Sequence, residues 1–308
     1  MGEDGRMEQL GFDGMPQRLY ACTPTRLATW LDCPRRYRFA YLDRPPPPKG
    51  APWAHNSLGA SVHNALAGWW RLPRRDRTVT VAGDLLESGW LTDGFADDAQ
   101  TLEYRAICRQ MVEGYVAKLD PAREPVGVER TVATRTDLIA VSGRIDRLDD
   151  RVSGDSQSRE LVVVDYKTGR HVLTVDDART SMALALYAQA AERVMRRPCL
   201  RVELHHLPSG TVLAWEHTPE SLARHLRRAE AIAAECADAD ERYKAAATGG
   251  IPADDVFQPR PGVGCGWCDF RAHCPEGASA APLRRPWDGL SADVAGDARA
   301  AVAVIGSA

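Results

Sequence analysis

Several things are missing from this chain, and each absence narrows what it can be. It has no apolar run long enough to cross a bilayer, which takes about 20 residues in a helix, so no membrane partner is expected. The opening stretch MGEDGRMEQLGFDG is acidic and glycine-rich, with no apolar segment of the kind a secretory signal needs. A cytoplasmic protein is expected. Positive charge is not in excess: 39 Lys and Arg face 42 Asp and Glu, for a formal net charge of −3. That argues against a protein that binds a polyanion with its whole surface; any nucleic-acid contact has to come from a local basic patch. No G-x-x-x-x-G-K-[ST] loop occurs, so a helicase motor, where one is needed, has to be another protein. No internal repeat is found.

What is present reads as a globular chain. Its 308 residues, 44% hydrophobic and 26% charged, can bury a substantial core in one large domain or two small ones. Residues 1–19 look loosely attached, 20–275 form the body, and 276–308, rich in Ala, Gly and Asp, read as a poorly ordered tail. A helix is expected over TPTRLATWLDCPRRYRFAYL, with Thr23 as N-cap and Pro24 at the first helical position. It stops before Pro45-Pro46-Pro47-Pro48. Further helices are expected after Ser57, over about 80–119, over about 176–196, and from Pro219 to about Ala247. Strands are expected at Glu129–Arg135, Asp137–Leu148, Arg201–Leu207 and Thr211–His217. The sum is an α/β fold: a central mixed sheet flanked by helices, with an N-terminal helical part and a C-terminal cysteine lobe.

The chemistry concentrates in VSGRIDRLDDRVSGDSQSRELVVVDYKTGR, residues 141–170. Two strand-like runs flank a turn-rich middle, Asp149 to Arg159. The apolar run Leu161–Val164 delivers Asp165 and Lys167 to one face, because side chains alternate along a strand. If the runs pair as a hairpin, Asp146 approaches that face from the neighbouring strand. Two carboxylates then stand ready for a hard divalent cation, with an ammonium beside them. Taken alone, Asp165 and Lys167 also fit an ordinary ion pair at a strand end.

Cys265, Cys268 and Cys274 form C-x2-C-x5-C, in irregular backbone supplied by Pro261, Gly262 and Gly264. In a cytoplasmic chain such thiols serve as metal ligands more often than as disulfides. A fourth ligand is required, and Cys33 is the best candidate, ahead of His273 and Cys22. Spacing alone leaves zinc and an iron–sulfur cluster both open. Cys108, Cys199 and Cys236 read as buried thiols. Arg35, Arg36 and Arg38 interleave with Tyr37, Phe39 and Tyr41, a mixture that suits single-stranded nucleic acid but also an amphipathic helix with solvated arginines. Arg144 is a fourth candidate for phosphate.

G-R-I-D-R followed by V-V-D-Y-K-T-G resembles the PD-(D/E)XK nucleases of the RecB-like exonuclease branch. The resemblance implies a restriction-endonuclease-like sheet and an active centre of Asp146, Asp165 and Lys167. Gly59-Ala60-Ser61-Val62-His63 matches a G-x-x-x-H helix found in many RecB-like nucleases, which implies His63 as a metal ligand beside the backbone carbonyl of Tyr166. Tyr187 matches the tyrosine of a Q-x-x-x-Y motif, whose glutamine position is Ala183 here. Gln189, two residues beyond Tyr187, faces elsewhere on a helix.

Cys33, in a C-P-x-x-[YF] pattern, together with the C-terminal cysteines resembles the iron–sulfur nucleases of the AddB-type and CRISPR-associated RecB-like kinds. That implies a [4Fe–4S] cluster on Cys33, Cys265, Cys268 and Cys274, stapling the C-terminus to the first helix. The resemblance spans about Thr23 to Pro275. It implies a deoxyribonuclease using Mg²⁺ or Mn²⁺, a single-strand exonuclease on DNA with free ends, in repair, recombination or related DNA processing. The alternative is a catalytically weak or inactive DNA-binding iron–sulfur subunit of a nuclease–helicase complex, which Ala183 favours. A zinc-binding interaction module is the third reading.

Overall fold

The structure, a computed structural model, describes residues 19–152, 159–246 and 253–290. Its spine is strand β3 (Ile139–Val152), which has two kinds of neighbour. Along one edge it pairs antiparallel with β2 (Gly127–Arg135), from Gly127 opposite Leu148 to Arg135 opposite Ala140. Its other edge is shared. Near its start it pairs parallel with β1 (Tyr20–Cys22), at Ile139–Val141, and near its end antiparallel with β4 (Arg159–Lys167), from Arg147 opposite Val164 to Val152 opposite Arg159. Among the described residues, 142–146 of β3 therefore have no strand partner on that edge, and the sheet opens there. Beyond β4 come β5 (Arg201–His206), parallel to it, and β6 (Thr211–Glu216), antiparallel to β5. The result is the mixed sheet flanked by helices expected for a restriction-endonuclease-like fold.

Both faces of β4 are covered, which explains its unbroken apolar run. Val162, Val164 and Tyr166 pack with α3 (Ala54–Arg71), α4 (Val79–Ser88) and α5 (Asp98–Val116). Leu161 and Val163 pack with α6 (Val175–Thr180) and α7 (Met182–Met195). A third core joins β1 and the start of β3 to α1 (Pro24–Asp32), α2 (Pro34–Tyr41) and α8 (Pro219–Ala246). The short α9 (Ala253–Val256) packs on α8, while α10 (Pro275–Ala280) packs on the cysteine segment.

Several boundaries differ from expectation, each for a local reason. The first helix does start at Thr23, whose side chain accepts from Arg26 N at 3.1 Å. It then breaks at Cys33, because Pro34 disfavours helical backbone in the residue before it, and Cys33 sits at φ −160°, ψ 116°. The helical stretch 80–119 is two helices, the second capped by Asp97. The helix expected over 176–196 divides at Ser181, which caps α7 through Leu184 N. Asp149–Arg151, expected in a turn, continue β3, since their charges are paired inside the protein. The expected tail is ordered through residue 290: Leu290 is buried, and its carbonyl accepts from the Tyr104 hydroxyl at 2.5 Å. Residues 1–18 and 291–308 lie outside the described residues.

Candidate metal centre and cysteine lobe

The opening between β1 and β4 is where the motif residues meet. Past Val164, β4 leaves β3 while staying paired to β5 as far as Lys167 opposite His206. The Asp146 side chain bridges the divergence: its Oδ2 accepts from Tyr166 N at 2.8 Å. Its other oxygen lies 3.3 Å from His63 Nδ1, and His63 Nε2 lies 3.2 Å from the Tyr166 carbonyl. On the diverging strand, Lys167 Nζ stands 2.9 Å from Asp165 Oδ2. His63 thus adjoins both Asp146 and the Tyr166 carbonyl, with the Asp165–Lys167 pair flanking Tyr166.

Sequence reasoning missed one participant. Glu129 falls opposite Asp146 in the β2–β3 register, between the pairs Val128–Arg147 and Arg130–Ile145. It has φ +49°, a left-handed conformation that is uncommon for any residue but glycine. Donor atoms of His63, Glu129 and Asp146 lie within 4.8 Å of one another, the one such group among the described residues. Nothing in the strand pattern of G-V-E-R-T-V signals this, because it depends on register and on that backbone twist.

The electrostatics are those of a site short of positive charge. Burial lifts the pKa of Asp165, the charge of Asp146 adds to it, and Lys167 only partly offsets the rise. Burial and Asp146 likewise raise Glu129 against the pull of Arg144. For His63, burial works against the imidazolium, but Asp146, Asp165 and Glu129 outweigh it and the pKa rises. Lys167 is raised too, because Asp165 overcomes the burial penalty. Carboxylate and carbonyl oxygens with one imidazole fit a divalent cation such as Mg²⁺ or Mn²⁺.

Tyr187 closes the opening from α7. A Cβ on Gly143 would come within 2.2 Å of its Cε1, so the ring lies on the bare backbone of β3 in the unpaired stretch. Burial, then Asp165 and Asp146, push its pKa up to about 12, keeping the phenol neutral. Gln189 does not replace the missing amide: its Oε1 is buried, with no donor among the described residues.

The four expected phosphate-binding arginines all meet carboxylates. Arg35 pairs with Glu276 at 2.9 Å, Arg36 with Asp32 at 2.8 Å, and Arg38 with Asp254 at 2.6 Å. Arg144, largely exposed, pairs with Glu129 at 2.8 Å. Only Arg144 adjoins the metal group. Arg35 and Arg36 instead line a cavity of about 230 Å³ together with Cys33, Cys265, Cys268 and Cys274.

The break between α1 and α2 is what exposes Cys33 to that cavity. Backbone N–H groups point at the sulfurs: Arg260 N donates to Cys33 Sγ at 3.5 Å and Gly277 N to Cys274 Sγ at 3.4 Å. A Cβ on Gly277 would stand 3.3 Å from Cys274 Sγ and 3.4 Å from Cys265 Sγ, so both sulfurs crowd a bare glycine. Burial lifts the Cys268 thiol to about 11 and also raises Cys274. No three of the four sulfurs come within 4.8 Å of one another. A tetrahedral zinc with 2.3 Å bonds would draw them to about 3.8 Å apart.

The chain matches the family model of the PD-(D/E)XK nuclease superfamily over residues 21–275 and belongs to that superfamily. Membership points to a metal-dependent nuclease, a hydrolase with DNA as its substrate class, and His63, Glu129 and Asp146 are a group that could hold the ion. No curated protein matches it. Among solved structures, "Crystal structure of SSO0001" aligns over 84% of this chain and 87% of that chain, with 13% identity and a TM-score of 0.34.

Proposed function

We propose that the protein trims DNA from single-stranded ends, as an exonuclease in repair, recombination or related DNA processing. The observation that carries the reading is the contact of His63 with both Asp146 and the Tyr166 carbonyl, beside the Asp165–Lys167 pair. His63, Asp146, Asp165 and the Tyr166 carbonyl would hold Mg²⁺ or Mn²⁺, with Glu129 adding negative charge next to them. A divalent ion held there would supply Lewis-acid stabilisation of a scissile phosphate. Lys167 donates N–H groups that orient an incoming water and offset phosphate charge. Tyr187, neutral, donates its hydroxyl toward substrate from the α7 side. Arg144 contacts a neighbouring phosphate. The single-strand preference follows the resemblance to the RecB-like branch.

The cysteine lobe is proposed to hold a [4Fe–4S] cluster on Cys33, Cys265, Cys268 and Cys274. The spread of the sulfurs favours a cluster over zinc, while the N–H groups aimed at them and the two guanidiniums would offset thiolate charge around either centre. Arg35, Arg36 and Arg38 would then serve the lobe first and DNA second. An inactive DNA-binding subunit, working with a separate helicase, is the second reading, favoured by Ala183 where an amide would position substrate.

Degradation of end-labelled single- and double-stranded DNA with Mg²⁺ or Mn²⁺ tests the proposal. Wild type should shorten single strands from an end, and Asp165→Ala and Lys167→Ala should each lose activity by about 10²-fold or more. Equal activity in all three proteins contradicts the assignment. Tight binding without cleavage by any of them supports the inactive subunit instead.

A further inference from the structure

The backbone and the side chain of Tyr166 serve different partners. Its peptide N–H and C=O serve the metal group, while its side chain enters the core on the face covered by α3 and α5. There its hydroxyl accepts from Trp70 Nε1 at 3.2 Å and from Arg147 Nη1 at 3.1 Å. Helix α3 therefore holds Tyr166 at both ends. His63 meets the carbonyl and Trp70 meets the hydroxyl, seven residues or about 10.5 Å further along one helix face.

Arg147 is an expensive way to hold a phenol. It is 2% exposed, and an ion of its size loses several kcal/mol of hydration on burial. Its Nε and Nη2 face the carboxylate of Asp149 at 2.9 and 3.1 Å, while Nη1 is left for two hydroxyls, Tyr166 and Tyr115, the latter at 3.0 Å. Tyr115 continues to His205 Nδ1 at 2.7 Å, and His205 to Glu203 at 2.9 Å. Replacing such a buried ion pair with apolar residues is often neutral or stabilising, so stability alone does not account for it. What the network does achieve is fixed positions for two hydroxyls, of which only that of Tyr166 belongs to a residue at the candidate cation site.

We infer that the Tyr166 side chain, clamped by Arg147 and Trp70, is a positioning device for the metal centre, and that Arg147 is a positioning residue acting through it. Anchoring the phenol sets the rotation of the Asp165–Lys167 backbone as β4 leaves β3. That in turn fixes the Tyr166 carbonyl and presents its N–H to Asp146. The inference rests on the proposed cation site and deepens it.

The two tyrosines on Arg147 make a matched test, since each →Phe change deletes one hydroxyl from the same network. Both should lower the melting temperature, because each leaves Arg147 short of an acceptor. Only Tyr166→Phe should weaken Mn²⁺ binding, read by electron paramagnetic resonance of free Mn²⁺. We expect a rise in Kd of about 10-fold or more, in the range typical of outer-shell partners, with Tyr115→Phe within about twofold of wild type. Arg147→Lys, which keeps the charge but loses the fork, should behave like Tyr166→Phe. Wild-type affinity in Tyr166→Phe, or equal weakening in both tyrosine variants, overturns the inference while leaving the cation site standing. Should wild type fail to bind Mn²⁺, or bind it no better than Asp146→Asn, the cation site itself falls and the clamp with it.

Discussion

The Asp146 carboxylate accepts from the Tyr166 backbone N–H at the point where β3 and β4 stop pairing. One side chain thereby does the work of a missing ladder bond and also lines the cation site. The two duties separate by substitution. Asp146→Asn keeps an acceptor for Tyr166 N–H but loses the charge, so its melting temperature should stay near wild type while Mn²⁺ affinity falls beyond the roughly 10–100-fold typical of an outer-shell change. Asp146→Ala should lose both. Thermal unfolding and a Mn²⁺ titration on the two variants check this.

Gly143 is required by Tyr187. Gly143→Ala places a methyl 2.2 Å from the ring, so it should cost about 1–3 kcal/mol of stability and reduce cleavage by displacing the phenol. In a Tyr187→Ala background the same change should cost far less. A double-mutant cycle by chemical denaturation measures that coupling.

The cysteine lobe makes its own prediction. Anaerobically purified protein should carry about four irons with matching acid-labile sulfide per chain. Cys33→Ser should lower both, and Cys108→Ser, in the α5 core, should not. One zinc per chain and no iron would contradict the cluster.

Acid should destabilise the protein partly through His217. Its ring is buried, its Nδ1 lies 3.0 Å from Ser221 Oγ, and burial, then His225 and Arg224, hold its pKa down to about 4. The unfolded chain takes up that proton near pH 6.5, so below that pH the unfolded state binds more protons. The contribution of His217 is therefore full above about pH 6.5 and is lost as pH falls toward 4. His217→Leu should flatten the fall in urea midpoint between pH 7 and pH 4.5 relative to wild type, whatever its effect at pH 7.

How much of this could be read in advance depended on whether a residue acts through its spacing or through its register. That Asp165 and Lys167 share a strand face is legible from alternation alone, whereas His63 stands out only through the resemblance of its helix to a G-x-x-x-H pattern. Glu129 is not legible, since its place opposite Asp146 arises from strand pairing and a left-handed backbone. Pro34 carried a readable break that a continuous periodic pattern concealed. Asp149 and Arg151 looked like turn residues because charged runs usually meet water, whereas here they neutralise Arg147 and Glu203 inside the fold. The motif named the Tyr166 backbone; its side chain became meaningful only with α3 and α5 in place.

The proposed function requires these side chains to share one cation. Anomalous diffraction at the manganese edge, from crystals grown with Mn²⁺, locates that ion. A peak bounded by His63, Asp146, Asp165 and the Tyr166 carbonyl is expected. A fully occupied Mn²⁺ elsewhere, with these groups still engaged only with one another, would contradict it.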